Sequence, residues 1–101
     1  MGQFLYGDSV PGIEFDDRLL GHLRVVIFAK FRRNESFAFS WDHGTANGSG
    51  HSSIWLTTGI PIRFIFNGGS QPNLNRDWVE GLMLEANSPA GLRPIPEPSA
   101  R

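Results

Sequence analysis

The chain has no cysteine, so neither a disulfide nor a thiolate metal site is available to it. Lysine is nearly absent: Lys30 stands alone beside eight arginines. No apolar run is longer than five residues (residues 25–29), far short of a membrane span. The opening MGQFLYGDSV lacks a basic segment followed by an apolar run, which argues against a secretory signal. Tyr6 also stands where a myristoylation site needs Ser or Thr. An excess of one charge is missing too. Nine basic and ten acidic residues leave a formal net charge of −1, which argues against a protein that wraps nucleic acid by bulk charge. These absences set the expectation of a cytoplasmic protein with no membrane partner.

What is present fits a folded chain. Hydrophobic residues make up 40% and aromatics 12% of 101 residues, enough for one core and too few residues for two. The expectation is a single α+β domain over residues 1–98, with 99–101 a frayed C-terminal end. Phe4 and Tyr6, two apart, mark a first strand over residues 3–6, and a glycine- and proline-containing turn follows. From Phe15 the apolar spacing becomes helical: Phe15, Leu19, Leu20, Leu23, Val26, Ile27 and Phe31 form one face. Glu14, Asp16 and Asp17 at the front and Lys30, Arg32 and Arg33 at the back match the helix dipole.

After a turn at Asn34 and Glu35, the alternation of Phe37, Phe39 and Trp41 predicts a strand with one aromatic face. A glycine-rich loop over residues 42–52 leads to a strand at 54–58 and another at 60–66. Asn73 or Asn75 can cap a second helix whose apolar face is Trp78, Val79, Leu82, Met83 and Ala86. Ser88 and Pro89 stop it, and an extended, proline-spaced tail follows in which Leu92 and Ile95 can dock. The predicted order is β-α-β-β-β-α. Three consecutive strands favour an antiparallel meander carrying both helices, a two-layer sandwich.

Two residue groups point toward binding. Gly21, Val25 and Phe28 lie away from the main apolar face of the first helix, where a surface helix would carry charge. They are ordinary flank residues or a self-association patch, and the second reading motivates a dimer. Lys30, Arg32, Arg33 and Arg63, with the aromatics of residues 37–41, are the candidate nucleic-acid or anion contacts. The competing reading has those aromatics facing the core and the basic residues closing the helix. Lys30 falls within the apolar arc, so it must snorkel or pair, with Glu35 the nearest partner in sequence.

Catalytic signals are weak. Asp42, His43 and His51 flank the glycine loop but read more simply as polar loop residues than as a metal site. His22, on the helix flank, reads as a surface residue. Gly68, Gly69 and Ser70 precede a helix yet lack the lysine and spacing of a phosphate-binding loop. No nucleophile-base arrangement is recognisable. No catalytic residue, metal or cofactor is expected.

The segments FDDRLLGHLRVVIFAKFRRNESFAFSW, SSIWL, GIPI and DWVEGLMLEANSPAGLRPIPEP resemble a family of short, roughly hundred-residue actinobacterial proteins of unknown function. The resemblance runs from Phe4 to Pro98. Some members carry the label "ATP-dependent DNA ligase", and this chain argues against a self-sufficient ligase. Ligase chemistry adenylates a lysine followed, after one residue, by Asp-Gly, whereas Lys30 is followed by Phe31, Arg32 and Arg33. The expected role is therefore a non-catalytic protein-interaction or self-assembling module. The alternative is an accessory protein that associates with nucleic acid.

Overall fold

The computed structural model describes residues 1–8, 11–43, 50–69 and 73–99. Its elements are β1 (Gly2–Tyr6), β2 (Ile13–Phe15), α1 (Asp17–Arg32), β3 (Phe37–Asp42), β4 (His51–Leu56), β5 (Ile62–Ile65) and α2 (Arg76–Ala86). Two helices and two antiparallel sheets make this an α+β fold.

Both helices begin and end as their sequences direct. The Asp16 carboxylate accepts from the backbone N–H groups of Arg18 (3.1 Å) and Leu19 (3.4 Å), satisfying donors that no helical carbonyl reaches. At the other end Asn34 adopts φ 57°, a left-handed conformation that asparagine tolerates, and the Glu35 N–H returns to the Lys30 carbonyl at 3.1 Å. For α2, Asn75 is the cap, accepting from Asp77 and Trp78 backbone N–H groups. Ser88 Oγ donates to the Glu85 carbonyl at 2.7 Å where Pro89 ends the helix.

The strand arrangement departs from the meander. Phe15 is not the first helical residue; it closes β2, a three-residue strand that pairs with β1. β3 and β4 form a hairpin by themselves, with Phe37 opposite Leu56 and Phe39 opposite Ile54. β5 leaves that hairpin and pairs with β1, giving the order β2-β1-β5. The cause is apolar. Phe64 of β5 packs 5.4 Å from Phe4 and 5.3 Å from Phe28, ring centroid to ring centroid. Tyr6 joins the two sheets: its hydroxyl donates to the Trp55 carbonyl and accepts from the Thr57 N–H, each at 3.0 Å.

The core lies between the sheets and helices. Phe4, Leu20, Leu23, Val26, Ile27, Phe39, Leu56, Leu82 and Leu92 are almost wholly buried. Leu92 enters beside β3, donating its N–H to Ala38 (2.8 Å) and accepting from Ser40 N–H (2.9 Å). His22, expected on the surface, is instead completely buried. Its Nε2 accepts from the Asn75 N–H at 2.8 Å, which fixes the proton on Nδ1, where it donates to the Arg18 carbonyl at 2.7 Å. Trp78 lies against the ring at 4.4 Å. α1 and α2 are thus joined by a polar link within an apolar contact.

Candidate binding cleft

The basic cluster does not open as one surface. Lys30 is only 6% exposed. Its ammonium donates to Asn87 Oδ1 at 2.5 Å, lies 3.0 Å from Glu35 Oε1 and sits 5.6 Å from the centre of the Phe37 ring. The Glu35 oxygen is shielded and makes no well-directed hydrogen bond, so the contact acts chiefly as an ion pair. The close contact with the Lys30 ammonium holds the Glu35 carboxyl below its usual value of 4.5, against a smaller opposing effect of burial. Arg33, 3.7 Å from the other Glu35 oxygen, is also engaged. Arg32 and Arg63 are exposed, on α1 and β5. Replacing Lys30 by Met should lower Tm because Glu35 and Asn87 lose their cation. Glu35→Gln on that background should restore part of the loss; a double mutant no better than the single would contradict the pairing.

The three residues of the suggested association patch also have intramolecular neighbours. Gly21 is buried, and Val25 and Phe28 are half-buried. Phe28 meets Phe64 edge-on and carries Arg24 over its ring at 5.7 Å. Nor are the loop amides ahead of α2 turned outward. Gly68 N–H donates to Asp17 Oδ2 at 2.9 Å and Asn67 N–H lies 3.4 Å from Oδ1, so the anion they face is the chain's own. Ser70 lies outside the described residues.

Two open concavities among the described residues share Trp41 as a wall. One, of about 770 Å³, runs between the β3–β4 hairpin and residues 90–95; Ser40, Asp42, His51, Ser53, Glu85 and Arg93 line it. Glu85 and Arg93 pair across its rim at 3.1 Å. The other, of about 560 Å³, lies between β2 and β4, with Glu14, Trp41, Asp42 and Ser53 among its walls. Asp42 and Glu14 have no ion-pair or hydrogen-bond partner among the described residues. Trp55, on the outer face of β4, is 63% exposed. Asp42, His43 and His51 do not form a group of three that could hold a metal ion among the described residues. The spacing that drew attention to them therefore marks a cleft wall. Trp41 was legible only as an aromatic strand residue, since its surroundings come from three separate elements.

Two residues beyond the wall of the larger cleft, the chain is tethered to α1. Arg18 makes a two-pronged contact with Glu97, at 2.8 and 2.6 Å, and Asn75 Nδ2 donates to the same carboxylate at 3.0 Å. Hydrogen bonding to Arg18, then to Asn75, lowers the Glu97 pKa from 4.5 to about 2. A lowered folded-state value contributes stability above pH 4.5 that is lost as pH falls through about 2. The Tm difference between wild type and Glu97→Gln should be constant above pH 5 and close across that window. A difference that grows on acidification would contradict the tether. The pair is solvent-exposed, so the effect should be small and salt-sensitive.

Fold and cleft together define an α+β domain in which no helix of the described residues is long and apolar enough to cross a membrane. The chain belongs to the DUF7882 family, a domain of unknown function, whose family model matches residues 1–97. No curated protein and no solved structure matches it.

Proposed function

We propose that this is a non-catalytic binding domain of the cytoplasm, with a protein as its partner. The observation that carries the reading is the pair of open clefts flanking Trp41. They combine an aromatic wall with two carboxylates, Asp42 and Glu14, that are unpaired among the described residues, and they sit beside the exposed Trp55. Ligase chemistry finds no support, because the sole lysine is buried and engaged by Asn87 and Glu35. Nucleic-acid association is the second reading; Arg32 and Arg63, exposed and without a partner among the described residues, favour it. Self-association through Val25 is a third use of the surface, read directly by sedimentation.

The test is purification of tagged wild type and Trp41→Ala from the native host. A discrete protein partner retained by wild type and lost by the folded variant is expected. Equal recovery with both, or nucleic acid in place of protein in the eluate, would contradict the reading.

A further inference from the structure

The smaller cleft lies between two strand edges that are both unpaired among the described residues. Along β4, Ser52, Ile54 and Leu56 face β3, as the register and the His43 N–H to Gly50 carbonyl bond require. His51, Ser53 and Trp55 turn their backbone groups the other way. On that side the Tyr6 hydroxyl already occupies the Trp55 carbonyl and the Thr57 N–H. The N–H and C=O of Ser53 and His51 have no partner there among the described residues. β2 is likewise an outer strand. The Gly7 N–H to Pro61 carbonyl bond sets odd-numbered β1 residues toward β5, so Gly2 and Phe4 bond to Phe15 and Ile13. The backbone of Glu14 is left facing outward.

Exposed edges invite pairing, and proteins usually guard them with lysine, proline, a bulge or a cover. Residues 51–54 of β4 contain neither lysine nor proline. The walls of the cleft are instead acidic, Asp42 and Glu14, with Trp41 next to Asp42 on β3 and on the other face of that strand. Carboxylates repel a phosphate backbone and attract a cationic side chain.

We infer that the free edge of β4 takes up an extended, basic segment of a partner protein as an added strand, its Arg or Lys side chains directed to Asp42 and Glu14 and its alternate side chains to the Trp41 side. The inference rests on the binding-domain reading above and names the partner's chemistry. Main-chain bonding to His51 and Ser53 supplies affinity, and the acidic walls select the charge. One end of the site is fixed, because Tyr6 blocks the edge at Trp55 and Thr57.

The test uses the whole chain and fluorescein-labelled peptides of about eight residues, a common strand length. The peptides alternate arginine with valine, alternate glutamate with valine, or repeat the first with its backbone nitrogens methylated. Anisotropy should show salt-sensitive binding of the arginine peptide alone. Asp42→Asn with Glu14→Gln should weaken it at least about tenfold. Ser53→Pro should abolish it, since the lost N–H points away from β3 and the hairpin ladder is kept. Ser53→Ala, which removes the 2.6 Å contact to Ser40 Oγ but keeps the N–H, should bind as wild type does.

Equal binding of the glutamate or methylated peptide, unchanged binding by a folded Ser53→Pro, or no binding of any peptide would overturn the inference. If Ser53→Pro does not fold, the methylated peptide and the double carboxamide variant still decide. A Trp41-dependent partner whose capture survives Ser53→Pro would keep the binding-domain reading and overturn strand addition. Loss of the Trp41-dependent partner itself would remove both.

Discussion

Gly91→Ala is expected to destabilise the protein by about 3–5 kcal/mol, because two independent costs fall on one methyl group. Gly91 has φ +86°, a conformation that L side chains rarely adopt. A Cβ there would also lie 2.5 Å from the Ala38 carbonyl oxygen and 2.7 Å from Ala38 Cβ. Backbone on β3 cannot yield without disturbing the Leu92 bonds to Ala38 and Ser40, at 2.8 and 2.9 Å. Leu92 is fully buried, so its release would expose core as well. Thermal melts should show the loss, and amide exchange at Ser40 and Leu92 should accelerate first. Adding Ala38→Gly removes the Cβ clash but not the carbonyl clash, so it should recover only part. A Gly91→Ala protein with wild-type Tm would show that residues 91–92 do not hold β3 as described.

His22→Ala should be nearly as damaging, by about 3–4 kcal/mol, or a Tm lowered by roughly 15 °C for a domain of this size. The substitution empties a fully buried site against Trp78 and leaves the Asn75 N–H without its acceptor. Asn75 is itself the cap of α2, so the loss spreads to the helix start. His22→Phe separates the contributions. It keeps the ring contact but offers no acceptor, and should fall between wild type and alanine. If phenylalanine matched wild type in a melt, the polar link between the helices would carry no net stability.

These two sites show where sequence reading reaches and where it stops. The helices were legible because their signals are local: apolar residues three and four apart, Asp16 and Asn75 at the starts, Pro89 just beyond the second end. The pairing of Lys30 with Glu35 was legible for the same reason, being one turn of chain apart. His22 was misplaced because its Asn75 partner lies on another helix cap, and a polar residue with no visible partner reads as solvent-facing. β5 was misplaced because hairpin proximity favours β4, whereas Phe64 packs against Phe4 and Phe28. Phe15 satisfied helical and strand spacing equally well, and only the pairing with β1 decides between them. The clefts depend on β2, β3, β4 and residues 90–95 meeting in space, for which no local pattern exists.

The reading of Trp41 and its acidic neighbours as the working surface competes with the basic residues Arg32 and Arg63. Backbone amide shifts of the labelled protein, followed on adding the arginine–valine peptide and separately a single-stranded DNA oligonucleotide, distinguish the two most directly. The account predicts peptide-induced shifts at residues 12–14, 41–43 and 51–54, with none from DNA. Shifts confined to residues 30–33 and Arg63 on adding DNA, with the cleft unchanged by peptide, would contradict it.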